Sequence, residues 1–249
     1  MGSTRLLVLL AAASLLLATA VPGSQSTGRN CGDEKGPEHW GKLKPEWAQC
    51  GAGEMQSPID LSHERVKLVR DLGYLDDSYR AAEASIVNRG HDIMVRFDGD
   101  AGSVVINGTA YYLRQLHWHS PTEHSVDGRR YDMELHMVHE SAEKKAAVIG
   151  LLYEVGRPDR FLQKVGMIDP RGARGRASVY YRYMGSLTTP PCTQGVVWTI
   201  VKRVRTVSRY QLDLLREAVH DEMENNARPL QAVNNRDISI FRPYPHKRY

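Results

Sequence analysis

The chain has 249 residues, 33 basic and 29 acidic, for a formal net charge of +4. That balance is too mild for a nucleic-acid binder, and the basic residues are scattered, apart from Lys202-Arg203-Val204-Arg205 and the tail His246-Lys247-Arg248, both read as solvated surface. The three cysteines, Cys31, Cys50 and Cys192, do not have the paired spacing of a zinc–cysteine site, and the length suits one large domain with ample core.

In chain order, Arg5 precedes an apolar run from Leu6 to Leu17, too short to span a bilayer comfortably, and Ala18-Thr19-Ala20 offers small residues at a cleavage point. Residues 1–20 therefore read as a secretory signal peptide. The mature chain begins near Val21 and keeps 32 basic against 29 acidic residues, or +3. Residues 21–35 are polar and Gly-rich and read as a loose segment; the folded domain is expected over 36–245. Ile93 to Phe97 alternates apolar and polar residues, the period of a half-buried strand. Ser103 to Leu113 holds Asn107-Gly108 between two β-prone runs, a hairpin signal. Asn107-Gly108-Thr109 is also a glycosylation sequon, and both readings place Asn107 on the surface. Ala146 to Tyr153 and Val196 to Val201 read as buried strands. Val207 to Val219 is the clearest helix: Ser208 and Gln211 form a capping box, and Leu212, Leu215 and Val219 share a face.

Between Arg114 and Glu140 lie five of the ten histidines: His117, His119, His124, His136 and His139. In a strand, alternate side chains share a face. Gln115, His117 and His119 would then look one way while Leu116 and Trp118 pack the other. In the second run Glu134, His136 and Val138 share a face, opposite Leu135, Met137 and His139. If the two strands pair, three imidazoles converge, and three imidazoles with an open fourth position make a catalytic zinc site. Gln115 and Glu134 stand where they could hold the outer nitrogens of the ligating rings.

The runs QLHWHSPTEH and ELHMVH resemble the zinc-binding segments of the α-class carbonic anhydrases. Further matches in the family order are GPEHWG from Gly36, QSPID from Gln56, NRGHD from Asn88, GSLTTPPC from Gly185 and NNARPLQ from Asn225. The forms KPEWAQC and YYRYMGSLTTPPCT look most like plant members, a group that includes tuber-storage and nectar proteins. The resemblance implies a mainly β (α+β) fold, a central twisted, mostly antiparallel sheet with peripheral helices in a single domain. It implies Zn2+ on His117, His119 and His136, and reversible conversion of CO2 to bicarbonate and a proton by attack of zinc-bound hydroxide. It assigns Thr188 and Glu123 to orienting that hydroxide, and His91 to exporting the proton, a task suited to an imidazole titrating near neutral pH. Val138, Val148, Leu187, Thr189, Val196 and Trp198 would line the substrate pocket, and Cys50 would pair with Cys192, leaving Cys31 over.

Two departures from the family pattern stand out. A tyrosine usual before the GPE-x-W motif is replaced by Asn30-Cys31-Gly32. The link from Gln163 to Val179 is shorter than in relatives by about one helix, and its Gly-Arg run can extend to bridge the gap; the loss of that helix's packing would lower stability. The alternative to an enzyme is a storage or binding protein on the same fold. The small molecules CO2 and bicarbonate are the expected partners, without nucleic acid or membrane. The expected destination is the extracellular space, or the chloroplast stroma through the secretory route.

Overall fold

The computed structural model describes residues 36–163, 168–174, 179–219 and 225–244. The signal peptide, the loose segment, Cys31 and the substituted tyrosine position lie outside them. Short helices α1 (Trp40–Leu43) and α2 (Gln49–Ala52) open the chain. The strands are β1 (Val66–Leu68), β2 (Asp76–Asp77), β3 (Ala84–Asn88), β4 (Ile93–Phe97), β5 (Ser103–Ile106), β6 (Thr109–His119), β7 (Met133–Glu140), β8 (Ala146–Val155), β9 (Tyr180–Ser186), β10 (Gln194–Val207) and β11 (Ile238–Phe241). Helices α3 (Pro170–Arg174) and α4 (Arg209–Glu217) interrupt them.

The strands form one twisted sheet in the order β1-β11-β9-β10-β8-β7-β6-β4-β3, with β5 and β2 joined to β6 at one side. The sheet is mixed: β8 and β10 run parallel, as do β1 and β11, and the other neighbours run antiparallel. The fold is therefore mostly β in a single domain. The Asn107-Gly108 turn has both residues at positive φ, 49° and 76°, the conformation a two-residue hairpin requires. Ser208 caps α4 with the reciprocal Gln211 bonds read from the sequence.

The two faces of the sheet bury different cores. One face packs Leu116, Trp118, Leu135, Met137, Ile149, Leu151 and Tyr153 under Leu212 of α4. The other packs Val148, Leu152, Tyr183, Val196, Trp198 and Ile200 against Ile59 and Leu61. Strand β6 changes allegiance along its length. Tyr111 and Leu113 point into the first core, and so do Leu116 and Trp118, which have the opposite parity. The switch occurs where Leu113 pairs with His139 while Gln115 pairs with Val138, so Arg114 is an extra residue, a β-bulge.

One expectation is corrected. Lys202 to Arg205 is not plain solvated surface: it continues β10 through an irregularity between Val201 and Arg205. Arg205 is partly buried and pairs with Asp159 at 2.9 Å. The described part of the short link is helical. Residues 170–174 form α3, with Ala173 fully buried in the first core. Arg205 accounts for this by donating to the carbonyls of Gly172 and Ala173, which leaves those backbone acceptors satisfied without a longer helix.

Candidate metal centre and active site

Strands β6 and β7 pair in the register that sets His117 opposite His136 and His119 opposite Glu134. The three rings of His117, His119 and His136 meet with centroids 4.6–5.0 Å apart. One nitrogen from each lies within 4.8 Å of the others, a grouping able to hold a metal ion. His117 Nε2 and His136 Nδ1 are 3.2 Å apart.

Each ring is gripped from behind. His117 Nδ1 meets Gln115 Oε1 at 2.8 Å, His136 Nε2 meets Glu134 Oε1 at 2.9 Å, and His119 Nδ1 points to the main-chain oxygen of Asn226 at 3.4 Å. Such outer partners fix ring orientation and leave the inner nitrogens as ligands. Glu134 is shared: His124 meets the same Oε1 through Nδ1 at 2.8 Å and donates its backbone N–H to Oε2 at 2.9 Å. The chain of contacts continues from His124 Nε2 to Tyr183 Oη at 2.7 Å and on to Ser57 Oγ at 2.8 Å. Gly150 stands opposite His136 on β8. A Cβ there would sit 2.8 Å from Glu134 Oε1 and 2.5 Å from Ile200 Cδ1, so the carboxylate needs a residue without a side chain beneath it.

The electrostatics favour a cation here. Burial is the largest influence on Glu134 and would raise its pKa, but His124 and His136 together hold it well below the usual carboxylate range. Burial likewise opposes charge on His136, yet Glu134, with Glu123 and Asp92 beyond it, raises its pKa. A place among three imidazoles that stabilises positive charge, with neutral nitrogen donors and no thiolate, fits zinc.

Glu123 is fully buried, and burial raises its pKa. His136, the Arg228 amide and the Thr188 hydroxyl beside it work against that rise. The Arg228 N–H donates to Glu123 Oε1 at 3.0 Å, which leaves Oε2 open to the Thr188 hydroxyl beside the carboxylate. Thr188 and Thr189 lie on a loop closed by bonds from Leu187 N to Thr193 O and from Cys192 N to Thr189 O, 2.9 and 2.8 Å long. The disulfide Cys50–Cys192 pins the loop, its Cα atoms 5.0 Å apart. Val148, Val196 and Trp198 are buried in the second core, with Val138 and Leu187 packed against it. The Trp198 ring lies 4.9 Å from that of His136. His91 sits in a bend between β3 and β4 with its side chain 27% exposed, its Nε2 3.6 Å from Asp92. Asn107 is exposed.

Asn226, Gly150, Tyr183 and Arg228 escaped the sequence reading. Asn226 and Arg228 fall in the NNARPLQ run, which signals the family but shows no role. The Arg228 guanidinium is buried and donates to Gln56 Oε1, Ser57 O and Cys50 O.

A histidine triad able to hold a metal ion, set on a large twisted sheet, points to the class, and comparison with known proteins agrees: the family model of eukaryotic-type carbonic anhydrases matches residues 35–242, and the chain belongs to that family. It is 53% identical over 228 residues to alpha carbonic anhydrase 7 of Arabidopsis thaliana, covering 85% of this chain and 83% of that one. It is 44% identical over 258 residues to dioscorin DB3S of Dioscorea polystachya, covering 97% and 96%. Among solved structures, dioscorin complexed with ascorbate superposes with a TM-score of 0.83 at 44% identity, over 86% of this chain and 98% of that one.

Proposed function

We propose that this carbonic anhydrase hydrates CO2 reversibly with zinc held by His117, His119 and His136. The observation that carries the reading is the convergence of three imidazole nitrogens, each anchored behind by Gln115, Asn226 or Glu134. Zinc supplies a Lewis acid that makes water a nucleophile near neutral pH, a property for which carbonic anhydrases are the standard example.

The chain's own residues do the rest. An ionised Glu123 accepts and does not donate, so it fixes the Thr188 hydroxyl with its proton inward. The Thr188 oxygen is then left to accept from the attacking water and set its direction. Val138, Val148, Leu187, Val196 and Trp198 form an apolar wall suited to CO2, and Thr189 borders it. His91, part exposed, takes the released proton and passes it to solvent. A sequon at exposed Asn107 and a disulfide at Cys50–Cys192 support entry to the secretory route, with extracellular release or onward passage to the chloroplast as its ends.

Likeness to dioscorin supports a second reading, a storage or binding protein with little turnover. Stopped-flow CO2 hydration on zinc-loaded protein separates the two. The enzyme reading expects rapid hydration, and His119→Ala is expected to lose both zinc and nearly all activity. Zinc retained with unchanged rate in His119→Ala would overturn the site; negligible wild-type rate would leave the storage reading standing.

A further inference from the structure

Asn226 is 7% exposed and sits 135 residues from His91 in sequence, yet it touches the main chain of His91 and the ring of His119. Its main-chain oxygen faces His119 Nδ1 at 3.4 Å, and its N–H donates to Ser120 O at 3.1 Å. Its side chain makes a second set of bonds. Oδ1 accepts from Ser120 N at 3.0 Å, while Nδ2 donates to Trp118 O at 3.3 Å and to His91 O at 2.7 Å. One amide thus ties the end of the strand carrying His119 to the bend carrying His91.

We infer that Asn226 is a positioning residue for proton export: its main chain holds a metal ligand, and its side chain fixes His91 relative to that ligand. The inference rests on the reading of His91 as the shuttle. The bend has its own supports. Arg89 pairs with Asp92, and Asn88 accepts from Gly90 N at 2.8 Å and donates to Ala218 O at 2.6 Å. These set the shape of the bend and tie its start to the end of α4. The bond from Asn226 reaches His91 itself and refers it to the metal-ligand strand. Misplacing a positioned group by about 1 Å can cost about 10²-fold in rate, so a tether at the carbonyl of the shuttle residue has kinetic weight.

The chemistry allows a selective test. Asn226→Ala removes these side-chain bonds to Ser120, Trp118 and His91 and leaves the main-chain contact to His119. Asn226→Asp keeps an acceptor for Ser120 N but replaces the donor to His91 O and Trp118 O. Both variants, His91→Ala and the double variant Asn226→Ala/His91→Ala would be compared for zinc content, for hydration in dilute buffer, and for hydration under saturating imidazole. The His91 ring would be followed by 1H–13C NMR in wild type and both Asn226 variants.

The expected result is full zinc content, a dilute-buffer rate lowered about tenfold, recovery to within about twofold with imidazole, and His91 ring signals moving toward those of a mobile imidazole. The double variant is expected to be no slower than His91→Ala alone. An additive loss, or a loss tracking zinc content, would overturn the inference by showing that Asn226 acts through His119. If His91→Ala itself is as fast as wild type in dilute buffer, the shuttle reading fails separately. The NMR comparison then decides alone: unchanged His91 signals in both Asn226 variants refute the tether.

Discussion

His136 and His139 lie on one strand, both closed to solvent, and have opposite electrostatic fates. His136 faces Glu134 and two other imidazoles, and that carboxylate outweighs burial and raises its pKa. His139 faces the first core. Its Nδ1 donates to Ala147 O at 3.2 Å and its Nε2 accepts from the Tyr79 hydroxyl at 2.7 Å. Burial there pushes its pKa down to about 4. The same side chain thus favours positive charge on one face and serves as a hydrogen-bonding strut on the other. What separates them is the partner: a carboxylate rewards positive charge, while a carbonyl and a hydroxyl do not offset the loss of hydration.

The sharpest way to break the comparison is acid. His139 has a depressed folded-state pKa, so as pH falls below the unfolded value of about 6.5 the unfolded chain takes the proton first. Its contribution is complete above that pH and is lost as pH falls toward about 4, where it amounts to about 3 kcal/mol. Urea denaturation at pH 7 and pH 4 is expected to show this loss in wild type and a shallower one in His139→Gln. Equal slopes would mean that His139 already carries a proton in the fold.

On the other face, Glu134→Gln removes the charge that favours a cation while preserving shape. Zinc affinity or hydration rate is expected to fall about 10–100-fold, read by competition with a chelator and by stopped flow, with little change in the acid slope assigned to His139. The smallest effect is expected from Tyr79→Phe, which strips His139 Nε2 of a hydroxyl donor. Thermal or urea melts should report a loss of about 1 kcal/mol, with zinc content and hydration unaltered. A fall in zinc content would show that the two faces are coupled.

Much of this contrast was legible in the sequence because it rests on a period of two. Alternation placed His117 and His119 opposite Leu116 and Trp118, and Glu134 and His136 opposite Leu135 and Met137, as the two cores have them. The hairpin at Asn107-Gly108 and the box at Ser208 were equally local signals. The tether of His119 was not, because it uses a main-chain oxygen 107 residues away, and a carbonyl leaves no mark on residue type. Gly150 was hidden for a related reason: its value lies in what its neighbour Glu134 needs, not in any group of its own. The far end of β10 was missed because charged residues broke its apolar run, and only the fold supplies Asp159 for Arg205.

The bulge at Arg114 works as a change of phase in a two-beat rhythm. Before it, odd-numbered residues of β6 belong to the oily interior; after it, odd-numbered residues carry the donor atoms, without the strand ending or turning. One strand therefore bears two messages that are punctuated by a single residue. Side chains on either side of that mark are free to vary under separate demands, cohesion upstream and chemistry downstream. Adding or removing one residue between the hairpin tip and His117 is the change neither message tolerates, since it would set the imidazoles among the aliphatic chains and turn Leu116 and Trp118 toward the donor cluster.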